Sequence, residues 1–211
     1  MLLIIGWRGS PRANDEPQHK AKGKITKKLL RLLKIEFCLL RNSKDLSKLS
    51  KLIKKAYKTK KIIGCLIEKN TLKIEKSNKK NVKEKNKLER KDFIIEFLRH
   101  VPKKSKIIST TGFTSRELMQ LRSQKKLSNG NDFYMVGGMG HSSMVAMGYA
   151  NESKNKVFCL DGDGSILMHM GSLRTIGHIG NKNLKHIILN NNSHESVGRQ
   201  TTTAEGIDFL K

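Results

Sequence analysis

Apolar residues in this chain fall into two alternating patterns, and their order predicts a fold before any chemistry is considered. Short uninterrupted runs read as buried strands: MLLIIG from the first residue, IEFCLL, IIGCLI, KIIST, DFYMV, VFCL from Val157 to Leu160, and HIIL from His186 to Leu189. Between them apolar residues recur three and four apart, the spacing of one helix face. Ile25, Leu29, Leu32 and Leu33 make one such stripe, and Leu46, Leu49, Leu52, Ile53 and Ala56 a second that Asp45 is placed to cap. DFIIEFLRHV, SRELMQLRSQKK and SSMVAMGYA make three more, with Thr114 and Glu117 spaced as a capping box for the middle one. Ile166, Leu167, Met170, Leu173 and Ile176 complete the series as one helix. Residues 1–74 thus read β-loop-α-β-α-β, and the chain beyond residue 91 gives at least four strands alternating with helices. That alternation calls for an α/β architecture of doubly wound parallel sheets.

Between the two blocks, residues 75–91 are rich in Lys and Asn and poor in apolar positions, the composition of a linker. Charge follows the same division. Of 43 lysines and arginines, 32 lie in residues 1–106, against 10 of the 18 acids, and the whole chain carries +25. Such an excess ordinarily suggests nucleic acid or an anionic membrane. Here it is mostly Lys beside Asn and Ile on solvent faces, with few aromatic residues on which bases could stack, so solvated surface is favoured over a polyanion site. Cys38, Cys65 and Cys159 are odd in number and far apart, without the spacing of a zinc site or a disulfide framework, and read as small buried apolar residues. The apolar start, Met1 to Ile5, is too short for a membrane span or a signal core and follows no basic region, which implies a cytoplasmic protein without a membrane partner.

The chemistry concentrates between Val157 and Asn192. One strand ends in the turn Gly162-Asp163-Gly164, and after 25 residues, Ser165 to Leu189, a second ends in Asn190, Asn191 and Asn192. A βαβ unit with parallel strands brings both ends to one sheet edge, where open α/β sheets bind ligands. A carboxylate and amide oxygens converging there suit magnesium, which takes its remaining ligands from water and phosphate and so implies a diphosphate-bearing cofactor. Gly162 and Gly164 leave backbone amides open to a phosphate. GGMGHSS, before the SSMVAMGYA helix, looks like a dinucleotide fingerprint but has Ser143 where that motif has its third Gly or Ala.

The strand-GDG, 25-residue, NN-strand layout resembles the thiamine-diphosphate motif. With IIGWRG, DEPQH, STTGFTSRELMQLR, GGMGHSSMVAMG, LDGDGSILMHMGSLRTIG and ILNNNSHESVG, nearly the whole chain resembles the phosphonopyruvate and sulfopyruvate decarboxylases. The resemblance implies a pyrimidine-binding domain ending within residues 1–74, a linker over 75–91 and a diphosphate-binding domain over 92–211, incomplete at its end. It implies magnesium held by Asp163, Asn191 and the carbonyl of Ser193, and thiamine diphosphate bound by Gly138, Met139, Gly140, His141, Ser142, Gly162, Asp163, Gly164, Ser165 and Asn191. Met139 matches the apolar wedge that bends the cofactor, and a core methionine is the alternative. His141 and Ser142 would stand at a helix start facing the diphosphate, and His194 would contact substrate or deliver a proton.

The implied reaction is decarboxylation of 3-phosphonopyruvate to phosphonoacetaldehyde and carbon dioxide, in phosphonate biosynthesis. Arg116, Arg122 or Arg199 would meet the phosphonate, and Arg199 also stands where the family pattern has a glycine after SVG, so its bulk would crowd the site. The family's activating glutamate would lie before Met1, so the resemblance implies a chain shortened at both ends and inactive alone. A homo-oligomer or a partner chain would supply the pyrimidine-domain segment. A sulfonate or another 2-keto acid as substrate, a silent cofactor-binding fragment, and a nucleic-acid binder built on the basic first half are the competing readings.

Overall fold

The computed structural model describes residues 1–72, 88–124 and 132–209. The chain divides into two compact units, Met1–Val82 and Lys83–Lys211. Most of the expected linker, residues 75–87, lies outside the described residues, as do the lysines ending SRELMQLRSQKK. No helix among the described residues is long and apolar enough to cross a membrane.

The first unit runs β1 (Leu2–Gly6), α1 (Pro17–Leu32), β2 (Glu36–Leu40), α2 (Leu46–Thr59) and β3 (Ile63–Ile67). Its parallel sheet has the order β1-β3-β2. Burial follows position in the sheet, not sequence hydrophobicity. β3 is central, so Ile63, Gly64, Cys65 and Leu66 are all buried, as both faces of a central parallel strand must be. β1, expected as a buried strand, is an edge whose Ile4 is 70 % exposed. The expected face of α1 is likewise turned outward: Ile25, Leu29, Leu32 and Leu33 are exposed, while Gly23 and Leu30 are buried. The cause is a backbone contact. A Cβ on Gly23 would come within 1.7 Å of the Gly9 carbonyl oxygen, and the Trp7 indole donates to the Gly23 carbonyl at 2.9 Å, so the Trp7–Gly9 turn seats directly on the helix and fixes its rotation. Asp45 does not cap α2. Its carboxylate accepts from the Arg41 amide at 3.1 Å within a short 3-10 turn, and the side chain of Asn42 accepts from the Lys44 amide instead.

The second unit runs α3 (Arg90–His100), β4 (Lys106–Ser109), α4 (Phe113–Gln124), β5 (Phe133–Tyr134), α5 (Ser142–Glu152), β6 (Val157–Gly162), α6 (Asp163–Met168), α7 (Gly171–Ile179), β7 (Leu184–Leu189), and a hairpin of β8 (Ser193–His194) and β9 (Gln200–Thr201). Arg90 and Lys91, expected as the end of a linker, are its first helical turn. The sheet is parallel with the order β5-β4-β6-β7. Its faces are covered from both sides. Ile108, Val157 and Cys159 pack with Ala146, Met147 and Ala150 of α5, whose small residues allow close approach, while Ile107 and Leu160 pack with Ile94, Leu98, Leu118 and Leu121 of α3 and α4. Helices on both faces of a parallel sheet make the α/β doubly wound arrangement that alternating elements imply.

Two local expectations fail. Thr114 lies inside α4, which begins at Phe113, and the Glu117 carboxylate pairs with Arg90 instead of closing a capping box. The single helix expected after the GDG turn is two, because His169 leaves helical geometry at φ −142, ψ 50. Its Nδ1 lies 3.3 Å from the Gly140 carbonyl and its ring meets His141 edge-on at 4.4 Å, contacts that hold it against the preceding turn.

Candidate functional site

β6 and β7 are register neighbours from Val157↔Leu184 to Gly162↔Leu189, so their carboxyl ends coincide. Asp163 follows the first and Asn190 to Asn192 the second. The β8–β9 hairpin then folds back and places Thr202 on Asp163, where Thr202 Oγ1 donates to Asp163 Oδ2. Asp163 is 3 % exposed and forms no ion pair among the described residues. Asn191 Oδ1 accepts from the Ser193 amide at 3.1 Å. Asp163, Asn191 and Ser193 all line one cleft, with Met139, Gly162, Gly164, Ser165 and His194. A desolvated carboxylate that accepts from a hydroxyl is costly unless a cation joins it. Asn191 and Ser193 line the same cleft and offer an amide oxygen and a carbonyl, so the available donors are the all-oxygen set a magnesium ion prefers and fit the metal and the diphosphate it would carry.

The glycine turn before α5 is arranged differently from expectation. Gly138 and Gly140 take φ +57 and +89, conformations that favour glycine. The Gly140 N–H donates inward to Ser165 Oγ at 3.1 Å, so that amide is not turned to a ligand. The Ser142 hydroxyl is also turned inward, buried and without a hydrogen-bond partner among the described residues, near the Cys159 thiol. Burial and the nearby Asp161 carboxylate push that thiol well above its usual pKa, so Cys159 stays a neutral core residue. His141 is exposed at the start of α5 with its Nδ1 near the Gly138 and Met139 carbonyls. Gly164 is required by a side chain, since a Cβ there would meet His194 Cε1 at 2.5 Å. His194 therefore lies on the GDG turn, at the cleft wall.

The arginines expected at a phosphonate are elsewhere occupied. Arg122 is buried against Asp132, with Nε to Oδ2 at 2.8 Å. Arg116 lies over the Phe113 ring. Arg90, which sequence reading assigned to a linker, lines the cleft instead, pairing with both oxygens of Glu117 at 2.8 Å and with Glu195 at 2.9 Å. Thr202 was also missed, because only the return of the hairpin brings it to Asp163. Asp161 is a third such residue. Burial opposes its charge, but bonds from His186, Ser165 and the Gly162 amide outweigh this and hold its carboxyl below the usual range. A roomier groove of about 450 Å³ lies between β2 and α2, but its carboxylates are taken, Glu36 by Lys55 and Asp45 by Lys48.

Arg199 does not crowd the cleft. It sits exposed in the β8–β9 turn at φ +61, beside Gly198 at φ +122. Left-handed geometry costs a residue with a Cβ roughly 1–2 kcal/mol, and glycine gives back roughly 0.5–1 kcal/mol through the freer unfolded chain. Arg199→Gly should therefore stabilise the chain by roughly 0–1.5 kcal/mol, read as a small rise in thermal midpoint. A fall would show that the arginine side chain makes a contact worth more than the strain.

Residues 110–209 match the family described as thiamine pyrophosphate enzyme, C-terminal TPP binding domain. Over 224 residues the chain is 31 % identical to phosphonopyruvate decarboxylase of Streptomyces viridochromogenes, an alignment covering 99 % of this chain and 55 % of that protein. The phosphonopyruvate decarboxylase of Streptomyces hygroscopicus is 32 % identical with the same coverage. Sulfopyruvate decarboxylase subunit beta of Methanocaldococcus jannaschii is 39 % identical over 111 residues, 53 % of this chain and 56 % of that subunit. The chain spans about half the length of these curated relatives.

Proposed function

Residues 110–209 belong to the C-terminal TPP binding domain family of the thiamine pyrophosphate enzymes, and on that premise we propose that the chain is the diphosphate-binding part of a 2-keto acid decarboxylase acting on 3-phosphonopyruvate. The observation that carries the reading is the meeting of Asp163, Asn191 and Ser193 in one cleft at the carboxyl ends of β6 and β7. In this reading residues 1–74 are the end of a pyrimidine-binding domain and 92–211 the diphosphate-binding domain.

Asp163, the Asn191 amide oxygen and the Ser193 carbonyl would hold Mg2+, and through it the diphosphate. Met139, at the cleft wall, would be an apolar contact for the cofactor. Bound thiamine diphosphate supplies the carbanion that attacks the 2-keto carbon and the ring that accepts the electron pair left by departing carbon dioxide. His194, whose ring lies against Gly164 at the cleft wall, would meet the substrate and return a proton to it. The products are phosphonoacetaldehyde and carbon dioxide. Asp163, buried and without an ion pair among the described residues, favours this enzyme reading over a basic nucleic-acid surface, since the latter gives a carboxylate at the sheet edge no task.

Substrate choice separates the two named relatives. Assembled with a partner polypeptide carrying the activating glutamate, the chain should show a higher kcat/KM on 3-phosphonopyruvate than on sulfopyruvate, measured by carbon dioxide release. The reverse order would make it a sulfonate enzyme, and no turnover of either keto acid would sink the decarboxylase reading.

A further inference from the structure

Arg90 opens α3 and reaches two other elements. Its Nε and Nη2 donate to Glu117 Oε2 and Oε1 of α4 at 2.8 Å each, and its Nη1 donates to Glu195 Oε2 at 2.9 Å. The Arg90 side chain is 18 % exposed and bidentate on Glu117, so it is a fixed point for Glu195 and not one half of a loose surface pair. Glu195 begins the short 3-10 turn Glu195–Val197 that follows β8. That turn is seated on the start of α4, since a Cβ on Gly112 would stand 3.2 Å from Ser196 Oγ. Asn191 Nδ2 donates to the same Glu195 oxygen in a long bond of 3.5 Å. The other end of that amide, Oδ1, accepts from the Ser193 amide at 3.1 Å and keeps a second lone pair. Asn191 is exposed, so packing does not hold its side chain, and Asn192 beside it takes a left-handed φ of +54. Polar partners alone distinguish the two ends of the amide. A carboxylate has no proton to offer, so it takes the nitrogen end and leaves the oxygen end to a cation.

We propose that Arg90 and Glu195 form a clamp that sets the Asn191 amide with its oxygen toward the metal position, which makes both of them positioning residues for the metal loop. Glu117 anchors the clamp and Glu195 selects the end of the amide. Neither carboxylate is a ligand. The role in metal binding rests on the cofactor reading above, whereas the orientation of the amide does not. Without Glu195 the exposed amide is free to turn, and an orientation that presents Nδ2 offers a cation no lone pair. Groups that orient a ligand in this way tune metal affinity without coordinating.

Two measurements test the clamp, and one needs no cofactor. In the nitrogen-labelled full chain without ligand, the Asn191 side-chain amide signals are identified by NMR from their loss in Asn191→Leu. They should move toward those of free asparagines in Glu195→Ala and in Arg90→Met. By calorimetry, each of these two substitutions should weaken thiamine diphosphate binding with magnesium about tenfold, the lower end for residues supporting a metal site. Any residual affinity in excess chelator should be the same in all the proteins. The double variant should also lose about tenfold and not a hundredfold, because residues acting as one unit are not additive. Glu195→Gln keeps an oxygen that can accept from Asn191 and should lose only about threefold. If Arg90→Met fails to fold, Glu195→Ala, in a loop, carries the test. Unmoved Asn191 signals or unchanged affinity in Glu195→Ala overturns the proposal. So does a loss that persists in excess chelator, which marks a general loosening of the cleft, and so do losses that multiply in the double variant. A wild-type chain that binds no thiamine diphosphate with magnesium overturns the metal-site reading and this role with it.

Discussion

Asp163→Ala should weaken binding of thiamine diphosphate in the presence of magnesium by roughly 100-fold or more, since residues that only support a metal ligand already cost 10–100-fold. Asp163 is the one full negative charge among the three proposed ligands, and it is buried with the Thr202 hydroxyl as its partner. The metal must supply what that hydroxyl cannot, a counter-charge for both the carboxylate and the diphosphate. Thr202→Val, which removes only the hydroxyl, should cost about tenfold. Stability should move the other way. Deleting a buried carboxylate without a cation removes a desolvation cost, so the thermal midpoint of Asp163→Ala should be unchanged or higher. Calorimetry with magnesium and then with excess chelator is the measurement. Equal affinity in chelator, or in Asp163→Ala, would remove the metal assignment.

That Asp163 and Asn191 line one cleft was legible in the sequence because Asp163 directly follows β6 and Asn191 stands two residues past β7, and parallel neighbours end at the same edge whatever the rest of the chain does. Thr202, Arg90 and Asp161 were not. Thr202 reaches Asp163 only through a hairpin whose strands are two residues long, and Arg90 meets Glu195 across 105 residues of chain. Asp161 reads in sequence as one more turn residue, and its surroundings come from the Gly162 amide and from His186, 25 residues further on in β7. The same distinction explains the first unit. Strand and helix order was readable from apolar periodicity, but not which strand is central or which face of α1 is covered. The Gly9–Gly23 contact decides the latter, and backbone contact leaves no apolar signature.

The 211-residue chain by itself should show no decarboxylase turnover, or turnover lower by several orders of magnitude, because proton transfer by a positioned side chain alone contributes roughly 10²–10⁴-fold. The group required is a carboxyl able to share a proton with the aminopyrimidine near neutral pH, which calls for a desolvated, weakly solvated acid with a raised pKa. The carboxylates of the first unit are the wrong kind. Asp15 is half-buried with its side chain covered, but the Arg8 guanidinium bonded to it, together with the Gly9 amide and His19, outweighs desolvation and holds its carboxyl far below the usual range. Asp45 is also lowered, chiefly by the Arg41 amide. Glu36 is exposed and paired with Lys55 at 2.7 Å, and Glu68 faces Arg41 at 3.8 Å. Glu16 is exposed and already has partners. Glu75 and Glu84 lie outside the described residues. Arg8 illustrates the point in reverse: removing it would free Asp15 to titrate higher, but would also unfasten the Trp7–Gly9 turn that seats on α1. A partner polypeptide or a second domain bearing the activating glutamate should therefore restore turnover where no substitution within residues 1–72 does. Phosphonoacetaldehyde formation, with magnesium and thiamine diphosphate, by the chain alone and then with that partner decides it. Robust turnover by the chain alone would mean that one of these carboxylates, or another group of this chain, activates the cofactor after all.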